Sequence, residues 1–425
     1  MAAGASSDGA AAVLRCPVPL WSRLKFLLLH LFCAIVVDLL PRLSRVFSGA
    51  WRRTQTTRVY GSPDATAFFK LDRQDRRPYV DPPYSGHVGT ILCAFRPHRA
   101  LPYERVVHPS ADGNPMCVDW LMTDARTAKG VFIIIPGLAS SSSTNYIEHF
   151  VWFAAAHHFH CAVFNSRGMG DTPIETPRLM SARWTDDLRA VLHDGPLSRT
   201  AIEARCGTGL RVVGVGFSLG GVILSRYVAE ECLESRSLGM DAVMIVNSPL
   251  DCLASNACMN SGISKALYQP SMAGGLAGYA RRHARVLKDL PGLAPEVRAA
   301  FAAGRVEEVL AQVKTVHDFD RVITAPTLGF ATPEDYYHNI SPIQWLPHIS
   351  VPVLCISAVD DPVVAAPPMA GLASIMESNP NLALLCIPHG GHLGYVRGVW
   401  DEFAGTETFV ERVIFEVAAA VTPRC

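Results

Sequence analysis

Short continuous apolar runs alternate along this chain with segments of helical spacing. Gly130-Val-Phe-Ile-Ile-Ile135 is apolar on both faces, which in a water-soluble protein means a strand covered by helices above and below. Asn145 to His158 has helical spacing, and His160 to Phe164 reads as another strand. Trp184 to Leu192, Val212 to Val215, Val222 to Cys232 and Ala242 to Val246 continue the alternation. Such a pattern predicts an α/β protein with a mostly parallel, doubly wound sheet. Upstream, Thr90 to Phe95 and Cys117 to Met122 show the partial alternation of antiparallel edge strands. Between Ser248 and Pro342 no strand pattern stands out, and a largely helical insertion is expected over the sheet's carboxyl edge, a candidate lid. Strand–helix alternation returns with Pro352 to Ser357, Met369 to Met376, Leu382 to Ile387 and a closing amphipathic helix from Glu407 to Ala420. Pro63 to Pro83, rich in proline, arginine and aspartate, reads as an irregular connector without chemistry. The expected division is residues 1–50 as amino-terminal anchor and basic linker, 51–247 as the first part of the α/β core, 248–342 as the lid and 343–425 as the second part.

Composition narrows this picture. At 425 residues the chain can bury a large core, and its 49% hydrophobic content marks it as globular. A formal net charge of zero removes the electrostatic reason to expect nucleic acid as a partner. The twelve cysteines are scattered without a Cys-x-x-Cys, which favours a reduced chain without metal or other cofactor. His157-His158-Phe159-His160 lacks an acidic or thiolate partner at ligand spacing and is read as structural.

One stretch departs from a soluble composition. Phe26 to Val37 is continuously apolar except for His30. A helix of that length covers about 18 Å, short of the roughly 30 Å hydrocarbon layer, so spanning needs Trp21 to Leu40, including Asp38. No small-residue cleavage site follows; Pro41-Arg42-Leu43-Ser44-Arg45 does. The stretch is therefore read as a membrane anchor, either a short span or a helix lying in the interface. Arg42, Arg45, Arg52, Arg53 and Arg58 outnumber Arg15, Arg23 and Lys25, a bias that puts the body of the protein on the cytosolic side of an intracellular membrane such as the endoplasmic reticulum.

The sharpest local signal is Gly216-Phe217-Ser218-Leu219-Gly220, with Gly221 behind it, set between the strand Leu210 to Val215 and the helix opening at Val222. A nucleophile elbow requires this context, because the serine sits at the tip of a strained turn and the glycines let strand and helix approach. A serine hydroxyl needs a base within reach and an acid to orient that base. After such an elbow the partners follow in the order acid, histidine. Asp360-Asp361-Pro362 lies just after the strand ending at Ser357, and His392 lies in Pro388-His-Gly-Gly-His-Leu-Gly394, just after the strand ending at Ile387. Both are loops at strand carboxyl ends, where open α/β sheets gather catalytic groups. Asp361 is preferred to Asp360, which would cap or brace the turn, and His392 to His389; neither pair is resolved by the residues alone. Oxyanion charge needs preorganised N–H donors, expected from Leu219 at the helix start and Leu138 in Pro136-Gly137-Leu138.

From about Tyr84 to Val421 the chain resembles the YheT-like group of α/β-hydrolases. The resemblance rests on Pro136-Gly137-Leu138 with Asn145-Tyr146-Ile147, Asn165-Ser166-Arg167-Gly168, Thr176-Pro177-Arg178, Gly214-Val-Gly-Phe-Ser-Leu-Gly-Gly221, Asp318-Phe319-Asp320, Asp335-Tyr336-Tyr337, Asp361-Pro362 and Gly390-Gly391-His392-Leu393-Gly394. The group includes medium-chain fatty-acid ethyl ester synthase/esterases and membrane-anchored lipid hydrolases. The resemblance implies the α/β-hydrolase fold, an amino-terminal anchor, and Ser218, Asp361 and His392 as nucleophile, acid and base. Met169-Gly170-Asp171 stands where the group often has a cysteine, and the His-x-x-x-x-Asp acyltransferase motif of some lipid-handling relatives is absent. Two classes of function follow. The first is a serine hydrolase of lipophilic acyl esters, whose acyl-enzyme water or an alcohol resolves. The second is a non-catalytic scaffold that binds lipid, against which the intact triad counts.

Overall fold

The computed structural model describes residues 20–33, 57–71, 85–366, 369–396 and 405–421. Among these, nine strands form one sheet: β1 (Arg58–Gly61), β2 (Glu104–Pro109), β3 (Pro115–Leu121), β4 (Gly130–Ile135), β5 (Phe159–Asn165), β6 (Arg211–Phe217), β7 (Ala242–Val246), β8 (Val353–Ala358) and β9 (Leu382–Ile387). Their order is β1-β9-β8-β7-β6-β4-β5-β3-β2. The run from β5 to β9 is parallel, and β2, β3 and β1 add antiparallel edges.

Residues of one strand serve both faces because successive side chains point opposite ways. In β4, Ile133 and Ile135 join Leu188, Tyr227 and Val353 in one buried cluster, whereas Phe132 and Ile134 join Phe150, Ile356 and Phe415 in the other. That is why the central strands are apolar throughout.

Register gathers the loops. Ile135 pairs with Gly216, Phe217 with Val246, Val246 with Ile356, and Ala358 with Ile387. The chain therefore leaves β4, β6, β7, β8 and β9 side by side at one sheet edge. β4 is also where the strand order reverses, with β5 on one side and β6 on the other, so a crevice opens there.

Several expectations need correction. Thr90 to Ala94 belongs to a helix, Gly86–Ala94, which Phe95 caps, and is not a strand. A short apolar run cannot distinguish the two by period; the helix wins because its glycine face packs on the backbone of the His392 loop, where a Cβ on Gly89 would lie 2.9 Å from the Gly390 oxygen. Within the expected irregular connector, Pro63–Phe68 forms a short helix, capped by the Ser62 hydroxyl, which accepts from Ala65 N–H at 3.1 Å. Residues 72–84 of that connector lie outside the described residues. The helix Arg199–Cys206 and strand β1 are elements for which the pattern gives no signal.

Between β7 and β8 the chain is helical, and its segments from Gln269–Arg282 onward bury their own apolar cluster, including Leu276, Tyr279, Leu287, Phe301 and Ile323, together with Met169, Ile174 and Leu179 from the loop after β5. Tyr279 ties the two: its hydroxyl donates to Arg167 O at 3.1 Å and accepts from Met180 N–H at 3.1 Å. Arg167 is fully buried, with Asp187 and Asp112 on its guanidinium at 2.7–2.9 Å.

At the amino terminus Leu20–Cys33 is a helix of 14 residues, about 21 Å long. Among the described residues no helix is long and apolar enough to cross a membrane, and residues 34–40, which a span would need, lie outside them. The helix packs against Gly86–Ala94 and exposes Trp21, Leu24, Leu28, Leu31 and Phe32.

Candidate active site

Ser218 stands between β6 and the helix Leu219–Leu233 with φ 51° and ψ −123°, a conformation that costs on the order of 1–3 kcal/mol for a residue with a Cβ. The surroundings hold it there. Ser218 N–H donates to Val246 O at 2.9 Å, and a Cβ on Gly220 would collide with the carbonyl oxygens of Ile135 and Pro136. Strand and helix therefore meet so closely that the hydroxyl projects from the tip of the turn.

The loops after β8 and β9 bring the other groups. His392 Nε2 lies 3.0 Å from Ser218 Oγ, and His392 Nδ1 lies 2.8 Å from Asp361 Oδ2. Asp361 is buried and carries donors on both oxygens: Val363 and Val364 N–H reach Oδ1 at 2.8 and 2.9 Å, and Asn247 Nδ2 reaches Oδ2 at 2.8 Å. With the carboxylate accepting at Nδ1–H, Nε2 is free to accept the serine proton. An imidazole so held can take that proton as Oγ attacks a carbonyl and return it to a leaving group, with Asp361 stabilising the imidazolium.

The neighbouring pair does something else. Asp360 Oδ1 accepts from Gly390 and Gly391 N–H at 2.9 and 3.0 Å, and its Oδ2 faces His389 Nδ1 at 3.1 Å. It braces the turn that delivers His392.

The contacts that support this arrangement escape a reading of the sequence. Asn247, directly after β7 with φ 46°, donates to both Asp361 Oδ2 and Gly391 O, the latter at 2.9 Å, and its Oδ1 accepts from Tyr395. One side chain thus ties acid loop to histidine loop. Thr90, on the helix misread as a strand, accepts from His392 N–H at 2.8 Å, and Arg96 donates to Gly394 O at 2.6 Å. Tyr146 holds the loop after β4, accepting from Gly137 N–H at 2.8 Å; burial pushes its phenol up to about 12. The glycine immediately before His392 and the Asn-Tyr pair are visible as motifs, but their partners lie on other elements: Asn247 and Asp360 for Gly391, Ala94 and Arg96 for Asn145, and Gly137 for Tyr146.

Leu138 and Leu219, the expected oxyanion donors, line the same cavity as Ser218. Leu219 is the first residue of its helix, so its N–H has no intrahelical acceptor and stands at the positive dipole end. The cavity measures about 950 Å³ including its open mouth, and is walled by Leu179, Met180, Met259, Leu276, Phe319 and Ile340 among others. Among the described residues no group of three His, Cys, Asp or Glu is placed to hold a metal. His160, from the histidine-rich run, is buried and accepts from Thr123 N–H at 3.0 Å, with burial holding its imidazole down at about 4. Cys252 and Cys258 are both free thiols.

A family model described as the alpha/beta hydrolase family matches residues 131–406, more than half of the chain. The chain belongs to the alpha/beta hydrolase family. Its fold, a mostly parallel sheet with the elbow after β6, is that of the family. Among individual proteins it is similar to the embryogenesis-associated protein EMB8 of Picea glauca, with 31% identity over 76% of this chain and 68% of the relative. It is also similar to phospholipase ABHD3 of Mus musculus, with 26% identity over 75% and 72%. A monoacylglycerol lipase of Saccharomyces cerevisiae matches with 29% identity over 64% of this chain and 56% of the lipase. Among solved structures, the Pyrococcus furiosus esterase Pf2001 aligns over 74% of this chain and 91% of its own, with 13% identity and a TM-score of 0.44.

Proposed function

We propose that this chain is a carboxylic ester hydrolase that uses Ser218 as nucleophile, His392 as general base and acid, and Asp361 as the residue that orients the imidazole, with Leu138 and Leu219 N–H stabilising the oxyanion. The observation that carries the reading is the chain of contacts from Ser218 Oγ through His392 to Asp361, at 3.0 and 2.8 Å, at the mouth of an apolar cavity. Its first half is an acyl-serine and its second half hydrolysis by water, each passing through a tetrahedral oxyanion. The apolar wall selects a lipophilic acyl group, as the names of the phospholipase and monoacylglycerol lipase relatives also suggest. The YheT-like motifs support a place in that group and an acyl chain of medium length. The helical segment between β7 and β8 serves as a lid. The helix Leu20–Cys33, with Trp21, Leu28 and Phe32 largely exposed, lies along a lipid surface and brings the cavity to its substrate.

A fluorophosphonate probe is expected to label the full chain at Ser218, and Ser218→Ala to abolish both labelling and cleavage of nitrophenyl esters. Labelling that persists in Ser218→Ala would overturn the assignment. A nitrophenyl ester series of increasing acyl length reads the cavity, with a rate maximum expected at medium chains.

A further inference from the structure

The cavity in front of Ser218 is largely apolar, with Ser255 and Asn256 among its neutral polar residues, and it holds one carboxyl that ester cleavage itself does not use. Asp320, 7% exposed, lines it together with Thr324, Tyr336, Tyr337 and Ser181. Asp320 opens the π-helical turn Asp320–Thr324, a local widening of the helix that often accompanies a functional side chain. Its Oδ2 accepts from the Tyr337 hydroxyl at 2.7 Å, and the Thr324 hydroxyl also bonds to it. Ser181 and Tyr336 face each other alongside, their hydroxyls 3.2 Å apart. No arginine, lysine or histidine is among the described residues lining the cavity. The nearest histidine on the same segment, His317, is engaged by Glu334 at 2.8 Å.

A carboxyl without a cationic partner in an apolar chamber is costly, and a brace to Tyr337 alone needs no charge. Burial pushes Asp320 up to about 6. A carboxylate offers about four acceptor positions, of which Tyr337 and Thr324 occupy two. The remaining capacity suits a hydroxyl donor and repels an anion. Fatty acyl chains carry no such donor; in lipid esters the free hydroxyl sits on the alcohol part. An adjoining hollow shares Leu179, Met180, Ser181 and Thr324 and contains Arg178, but that guanidinium stacks 4.4 Å over Trp184 and pairs with Asp186.

We propose that Asp320, with Tyr337, is a binding subsite for a free hydroxyl on the alcohol part of the substrate, so that the site takes neutral partial esters of a polyol in preference to esters of simple alkanols or of phosphate-bearing alcohols. The inference rests on the hydrolase reading and deepens it. The informative changes are Asp320→Asn, which removes the charge and keeps the shape, and Asp320→Leu, which removes every hydrogen-bonding group at this position.

The test compares kcat/KM of the full chain in mixed micelles for 1-decanoylglycerol, propyl decanoate and 1-decanoyl-lysophosphatidic acid, which share one acyl chain. Wild type is expected to favour the glycerol ester over the propyl ester by about tenfold, the worth of one hydrogen bond to a charged acceptor, and to cleave the phosphate ester least. Asp320→Asn and Asp320→Leu should erase the preference through KM, leaving propyl decanoate within about twofold of wild type and the fluorophosphonate labelling rate unchanged. A parallel fall for both neutral esters would make Asp320 a structural brace and overturn the subsite, as would an undiminished preference or a preference for the phosphate ester. Wild type that cleaves none of the three and resists the probe would overturn the hydrolase reading itself, and the subsite with it.

Discussion

Two Asp–His pairs stand next to each other at the carboxyl edge of the sheet, Asp360 with His389 and Asp361 with His392, at 3.1 and 2.8 Å. They use the same residue types, come from the same two loops and are separated along the chain by 29 and 31 residues. Only the second reaches Ser218. What differs is where the carboxylate spends its acceptors. Asp360 spends Oδ1 on two backbone N–H groups of the histidine loop, so it shapes the loop. Asp361 is anchored on its own loop through Val363 and Val364 and turns Oδ2 toward the imidazole. Charge and proximity are therefore insufficient to make a triad; the third contact, from Nε2 to a hydroxyl, separates the proposed catalytic pair from a brace.

Substitutions can break that contrast. His392→Ala is expected to lower kcat/KM by at least about 10⁴-fold, as removal of a triad base does, whereas His389→Ala should stay within about tenfold; equal losses would mean that the two pairs act as one unit. Asp361→Asn should cost about 10³- to 10⁴-fold, since an amide favours the wrong imidazole tautomer. Asp360→Asn keeps an oxygen for Gly390 and Gly391 N–H and should cost far less, a difference read in steady-state rates on a nitrophenyl ester.

Asp320 sharpens the comparison as a third carboxyl, buried in the cavity with no arginine, lysine or histidine among the described residues that line it. Its folded value of about 6 lies above the ordinary 3.8 because burial disfavours the charged form. A raised folded value means that this group's contribution to stability is fully present below pH 3.8 and is lost as pH rises through 6. Asp320→Asn removes that dependence. Its thermal midpoint relative to wild type should therefore climb between pH 4 and pH 7.5, by the equivalent of up to about 3 kcal/mol; parallel midpoints across that range would refute the buried-carboxylate account.

A more modest effect is expected at the tie between the two loops. Asn247→Ala leaves Asp361, Gly391 O and the Tyr395 hydroxyl each short of one partner, and should lower kcat about tenfold with little change in KM, because it disturbs geometry without touching substrate. A rise in KM at constant kcat would point instead to a substrate contact.

Much of this molecule could be read from one dimension. The apolar strands Gly130 to Ile135, Val212 to Val215 and Val353 to Ser357 declare themselves, because a strand buried on both faces has no alternative composition. Ser218 between strand and helix is equally plain. Thr90 is not, since it opens a run of five apolar residues that fits a helix or a strand, and its partner, the N–H of His392, lies 302 residues away. Asn247 and Tyr395 were silent for a similar reason: a polar side chain after a strand is an ordinary loop residue until the opposite loop arrives.

What the sequence by itself determined is the alternation that builds the sheet, the elbow at Ser218, and the order in which an acid and a histidine follow it, because each is a local consequence of side-chain period or backbone strain. Tertiary structure alone decided which aspartate and which histidine face the serine, that Gly86–Ala94 would be helical beneath them, and that Asp320 would come to rest in the same cavity. Those outcomes depend on strand register and on close backbone packing between segments remote in the chain, and no local propensity encodes either.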